Sequence, residues 1–95
     1  MSAYVLANVN VKDPLRYEDY RRLVTPTLEK FGGRFIARGG SIEVLEGDWR
    51  PTRLVLVEFP SVAAAREWWN SPEYAEAKRI RQATSEGTLL ILEGV

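Results

Sequence analysis

Between Tyr4 and Val11 the chain alternates Val5, Ala7, Val9 and Val11 with Tyr4, Leu6, Asn8 and Asn10. A period of two residues predicts a β-strand. Asp13 and Pro14 end it, and both suit a helix start. Asp serves as N-cap, and Pro fits the first helical position, where the missing amide has no partner to lose. From there Tyr17, Tyr20, Val24, Leu28 and Phe31 recur at spacings of three and four and form one apolar stripe. Pro26 falls inside this stripe and is expected to kink the helix near Thr25, because it removes one backbone donor and crowds the preceding turn. Gly32 and Gly33 then close the helix.

Alternation returns at Arg34, with Phe35 and Ala37 on one side and Arg34, Ile36 and Arg38 on the other. Gly39 and Gly40 predict a bulge or bend before SIEVLE resumes the extended run. EGDWRP reads as a turn and Arg53 to Phe59 as the next strand, which makes a hairpin with a loop of about six residues. Ser61 caps a helix that holds Trp68 and Trp69. Ser71 and Pro72 interrupt that helix and start a second short one, ending near Ala83. Gly87 leads into a last strand from Thr88 to Glu93.

The order βαββαβ in 95 residues predicts one α+β domain, residues 1–95, of ferredoxin-like type. Its four antiparallel strands run in spatial order 4-1-3-2, both helical segments cover one face, and the second is broken at Ser71-Pro72. One strand parity supplies Val5, Ala7, Val9, Val55, Val57, Phe59, Leu90 and Leu92, a surface suited to lie beneath helices. The other supplies Tyr4, Leu6, Asn8, Arg38, Leu54, Leu56, Glu58, Leu89, Ile91 and Glu93. This second face is too apolar to be left in water and too polar for a plain core. A second copy of the chain, sheet against sheet, resolves the conflict and leaves small, partly polar cavities around Asn8 and Glu58.

Composition narrows the chemistry. Thirteen basic and thirteen acidic residues balance to zero formal charge, so no global field draws in nucleic acid or anionic lipid. The absence of cysteine and histidine removes thiolate nucleophiles, disulfides, the commonest general base and the usual ligands of zinc, iron-sulfur clusters and haem. No metal and no cofactor is expected. The N-terminus MSAYVLANVNVKDP carries no basic region ahead of a long apolar stretch. No segment approaches the roughly 20 apolar residues of a membrane span. A cytoplasmic protein without nucleic-acid or membrane partners is the expectation.

The segments YVLANVNVKD, KFGGRFIARGG, EGDWRP, VEFPS and WWNSPEY, with Arg81 following, together give the chain its family likeness. Over essentially its whole length it resembles the small proteins grouped as domain of unknown function 1330, in the dimeric α/β-barrel superfamily. The resemblance implies a ferredoxin-like fold and a homodimer whose paired sheets form the barrel, and it implies no activity. The wider superfamily includes cofactor-free monooxygenases, muconolactone isomerase-like enzymes and haem-dependent members that use a histidine ligand. Without histidine, that haem chemistry is excluded.

Five residues stand out as candidates for a site. Glu58 ends an apolar strand, where a carboxylate either titrates high and serves as acid or base, or pairs with an arginine. Arg38 either pairs with Glu58 or clamps an anionic ligand with its planar fork. Asn8, on a central strand, needs a hydrogen-bond partner, and Tyr4 shares its face. Trp49 stands in a polar turn where no core periodicity requires it, so it covers a pocket mouth or anchors a second subunit. Trp68 and Trp69 point about 100° apart on a helix, so one packs on the sheet with Ala64 and Ala65 while the other lies at the helix edge. Lys78, Arg79 and Arg81 fall in the last turns of a helix, where cations complement its dipole. The expected protein is a homodimer with a small-organic-molecule pocket between sheet and partner. The alternative is a cofactor-free enzyme, monooxygenase- or isomerase-like, with Glu58 as acid or base.

Overall fold

The computed structural model describes residues 1–95. The elements are β1 (Ala3–Val11), α1 (Pro14–Lys30), β2 (Arg34–Arg38), β3 (Leu54–Phe59), α2 (Val62–Asn70), α3 (Pro72–Thr84) and β4 (Ser85–Glu93). The strands form one antiparallel sheet in the order β2-β3-β1-β4, which is the expected ferredoxin-like arrangement. The helices cover one face of it. Val5, Ala7 and Val9 of β1 and Val55, Val57 and Phe59 of β3 meet Tyr17, Tyr20, Val24 and Leu28 of α1, Ala65 and Trp68 of α2, and Tyr74 and Ala77 of α3 in a single core.

Local chemistry sets the helix ends. Asp13 Oδ1 accepts from the Arg16 amide at 3.2 Å, and Ser61 Oγ accepts from the Ala64 amide at 3.0 Å. At the end of α1 the Gly33 and Gly32 amides return to the Leu28 and Glu29 carbonyls at 2.9 and 3.1 Å, the paired bonds of a Schellman cap. Ser71 serves two helices at once. Its hydroxyl donates to the Trp68 carbonyl at 2.8 Å and accepts from the Tyr74 amide at 3.1 Å, so α2 stops and α3 starts on one residue. Helix α1 runs through Pro26 to Lys30 without interruption.

Three sequence expectations are corrected. SIEVLE forms no strand: the chain from Gly39 to Arg53 lies outside the sheet, and Ser41 to Arg50 is exposed throughout. Alternation there marks an apolar side but supplies no strand to pair with, and Gly39, at φ +71°, turns the chain off β2. The bulge falls earlier, at Ile36, between the pairs Phe35↔Val57 and Ala37↔Leu56. It reverses the phase of the last β2 residue, so Arg38 pairs with Val55 and shares the helix side of the sheet rather than the face of Asn8 and Glu58. The phase of β4 is also opposite to expectation. Leu90 pairs with Leu6 and Leu92 with Tyr4, while Leu89 and Ile91 pack on the core. In the run Leu89 to Leu92 both parities are apolar, so pattern alone cannot orient it. Gly87 sets the register: a Cβ there would stand 1.8 Å from the Asn8 carbonyl oxygen, so no other residue fits at that crossing.

The sheet face away from the helices is uncovered. It carries Tyr4, Leu6, Asn8, Leu54, Leu56, Glu58, Leu90 and Leu92, the last 58% exposed. The molecule measures 36 × 35 × 17 Å, the thickness of two layers. Its accessible surface is 6139 Å², against about 5,500 Å² expected for a monomer of this mass. No helix is long and apolar enough to cross a membrane.

Candidate functional site

A cavity of about 30 Å³ lies between the helices and the sheet, with room for about two water molecules. Twelve of its 15 lining residues are hydrophobic, among them Tyr17, Tyr20, Val24, Leu28 and Trp68, and the remaining three are Arg38, Arg53 and Arg81. No carboxylate lines it.

Each arginine arrives by a different route. Arg53 directly precedes β3, and its carbonyl accepts from the Val9 amide at 2.9 Å, which continues the β1–β3 pairing by one residue. It therefore shares the parity of Val55 and Val57 and points under the helices. Its guanidinium packs over Gly39, where a Cβ would stand 2.6 Å from one terminal nitrogen. Arg53 Nε is shielded from solvent and has no hydrogen-bond partner. Arg38, turned inward by the bulge, places its guanidinium carbon 4.1 Å from the centre of the Phe35 ring. Arg81 follows Tyr74 and Ala77 at spacings of seven and four on α3, so it lies on that helix's buried stripe. Its Nε donates to the Tyr74 hydroxyl at 3.3 Å, and that hydroxyl lies 3.2 Å from the Tyr20 hydroxyl.

The electrostatics follow from this crowding. Burial lowers the pKa of Arg38, and the positive charges of Arg21 and Arg53 lower it further; with a guanidinium's high starting value it stays charged. Burial raises the Tyr17 pKa, with Arg53, Arg81 and Arg38 opposing the rise. Tyr20 is pushed well above the usual phenol value by burial and then by Tyr74. Both tyrosines are neutral hydroxyls at physiological pH.

The residues singled out from sequence do not gather in one place. Asn8 lies opposite Leu54 and Tyr4 opposite Glu58, so Asn8 and Glu58 are four residues apart along the strand direction, about 13 Å. The arginine that meets Glu58 is Arg34, not Arg38. Its Nε and a terminal nitrogen both donate to Glu58 Oε1, at 3.0 and 2.6 Å. That pairing lowers the Glu58 pKa against a partial desolvation that raises it, with smaller lowering from the Ser2 and Tyr4 hydroxyls. Asn8 Oδ1 is buried without a partner. Trp49 is 58% exposed and stands clear of the core, in the connection that also exposes Ile42, Val44 and Leu45. Of the tryptophan pair, Trp68 is the core member. Its ring centre lies 4.0 Å from that of Tyr74, and its indole N–H donates to Thr27 Oγ1 at 3.1 Å. Trp69 is half-buried, with Lys78 Nζ 4.3 Å from its ring centre.

Two of the cavity's cations, Arg53 and Arg81, are absent from the sequence candidates, yet both carried a signal. Each is a charged residue at a position where the apolar pattern of its own element points inward, by parity in β3 and by the four-residue step from Ala77 in α3. Reading Arg81 as a last-turn cation hid this.

The family model for a domain of unknown function, DUF1330, matches residues 2–95. The chain belongs to this family. Among solved structures, a protein of unknown function from Rhodopseudomonas palustris is 27% identical and superposes with a TM-score of 0.79, over 99% of this chain and 82% of its own. A dimeric ferredoxin-like protein of unknown function from Jannaschia sp. CCS1 is 15% identical, with a TM-score of 0.77 over 99% and 100% of the two chains. SnoaB, a cofactor-independent oxygenase from Streptomyces nogalater, is 13% identical, with a TM-score of 0.70 over 99% and 93%. At these two lower identities the likeness is one of fold alone. A comparison of the sequence with curated proteins finds no match.

Proposed function

We propose that this DUF1330 protein is a homodimeric small-molecule-binding protein whose ligand occupies the cavity between helices and sheet in each protomer. The observation that carries the ligand site is the cavity itself, an apolar chamber with Arg38, Arg53 and Arg81 in its wall. Apolar pockets with a few placed polar groups are the usual form of small-ligand sites, and at about 30 Å³ this one is restricted to a very small ligand. The uncovered sheet face supports the dimer, and so do solved neighbours described as dimeric ferredoxin-like proteins. Pairing two such faces hides Leu56, Leu90 and Leu92 and offers donors to Asn8 Oδ1. The exposed Trp49 connection then has a second chain to rest on.

This reading separates the two faces that the sequence had merged: the partner takes the open face and the ligand takes the covered one. Turnover is not part of it. Glu58, the candidate acid or base, lies outside the cavity lining and is kept ionised by Arg34. A group held ionised is a poor proton donor at neutral pH, and a lowered pKa makes it a weaker base.

Sedimentation and a metabolite screen by thermal shift test the two halves. The expected sedimenting mass is that of two chains, with an interface above about 1,600 Å², and Leu56→Arg yields monomer. A one-chain mass for the unsubstituted protein at micromolar concentration refutes the dimer. Ala7→Val, which adds methyl groups at the cavity wall, is expected to remove ligand-induced stabilisation, read as the shift from the variant's own ligand-free melt. Hits that bind both proteins equally refute the cavity as the site.

A further inference from the structure

We propose that the cavity takes a compact monocarboxylate, its carboxylate held by Arg53 between Arg38 and Arg81 and its apolar part lying against Val24, Leu28 and Trp68. The proposal rests on the reading of the cavity as a ligand site and adds the charge and class of the ligand.

Charge distribution is the first ground. The chain is neutral overall, but its ion pairs join Lys12 to Glu86, Arg21 to Glu18, Arg22 to Asp19, Lys30 to Glu73 and Arg34 to Glu58. Arg38, Arg53 and Arg81 take part in none of them. Three cations thus meet at one mostly apolar cavity with no carboxylate in its wall. Like charges gathered side by side repel, here less than in a dry interior because all three side chains are half-buried, and an anion among them relieves the repulsion.

Hydrogen bonding is the second, independent ground. A buried donor of a charged group is costly when unpaired, and Arg53 Nε is such a donor. The lack of a side chain at Gly39 leaves the room in which the Arg53 guanidinium lies. A carboxylate meets a guanidinium edge with two parallel bonds and satisfies Nε directly.

The surroundings then select within the anions. Arg38 is stacked on Phe35 and Arg81 donates one N–H to the Tyr74 hydroxyl, which leaves N–H donors on all three guanidinium groups for an anion. Within a volume of about 30 Å³ a small carboxylate is favoured over the bulkier and more strongly hydrated phosphate dianion. Tyr17, in the wall of the same cavity, is available to donate its hydroxyl to the second carboxylate oxygen. A volume of about 30 Å³ limits the ligand to the smallest acids, with an apolar part of one or two carbons at most.

Thermal shift and calorimetry with formate, acetate and propionate, each beside its neutral amide and beside inorganic phosphate at matched ionic strength, test the assignment. At least one acid is expected to raise Tm by roughly 5–10 °C at ten times its Kd, and its amide to have no such effect. Arg53→Gln is expected to weaken that acid roughly 10- to 100-fold; if this variant fails to fold, Arg38→Gln takes its place with the same sign. Equal binding of acid and amide overturns the anion assignment and leaves the ligand site standing. Phosphate binding tighter than any acid overturns the choice of carboxylate. Binding of none of these compounds overturns the proposal, and the cavity fails as a ligand site too if the metabolite screen is also empty.

Discussion

Replacing Thr27 by Val tests the joint between α1 and α2, and through it the placement of Trp68 in the cavity wall. Trp68 is 2% exposed, and its indole N–H has the Thr27 hydroxyl as its partner at 3.1 Å. That hydroxyl in turn donates to the Val24 carbonyl at 2.6 Å. Val keeps the branched shape and nearly the same helix propensity, so the change isolates the hydroxyl. The Val24 carbonyl retains the helix's own amide as donor, whereas the indole N–H is left buried without an acceptor. A stranded buried donor costs about 1–3 kcal/mol. For a domain of this size 2 kcal/mol lowers Tm by about 8–16 °C. Urea melts at fixed chain concentration measure the cost, since association would otherwise move the midpoint. Thr27→Ser should lie close to the unsubstituted protein. In a Trp68→Phe background, where no indole N–H remains, Thr27→Val should cost little, which gives a coupling energy of about 1 kcal/mol or more. Equal costs in the two backgrounds would refute the hydrogen bond as the source of the effect.

Three further outcomes follow from single contacts. Asp13→Ala removes the acceptor of the Arg16 amide and should cost about 1 kcal/mol; an unchanged denaturant midpoint would show that the cap contributes nothing. Gly87→Ala places a methyl group 1.8 Å from the Asn8 carbonyl at a backbone φ of +154°, which should cost at least about 2–3 kcal/mol, and a near-native melt would overturn the β1–β4 register. Glu58 has a folded-state pKa below its unfolded value, with Arg34 as the main cause. Its contribution to stability is therefore complete above the unfolded carboxyl pKa of about 4.3 and is lost as pH falls through the lower folded value. Glu58→Gln should flatten the stability profile in that acid window, and superimposable profiles would count against the pair.

Local rules were enough to place most of the fold. Asp13-Pro14, Ser61 and Ser71-Pro72 carry their own capping chemistry, so the helix starts and the break between α2 and α3 could be read directly from adjacent residues. The strict alternation of β1, with valines and alanine on one parity, likewise announced which side would be covered. What stayed hidden depends on relations between elements. Leu89 to Leu92 is apolar on both parities, and only the close crossing of Gly87 with the Asn8 backbone decides which pair faces the helices. Arg38 reads as outward until a one-residue bulge at Ile36, set by pairing with β3, turns it inward. SIEVLE has the alternation of a strand, but Gly39 turns the chain off β2 and the segment pairs with neither open edge of the sheet. The cavity is the extreme case. Arg38, Arg53 and Arg81 are far apart in sequence and sit on three separate segments, so their meeting is a property of the packed sandwich and of no single stretch. A period in sequence specifies which side of an element is buried; the register between elements decides what those buried sides bring together.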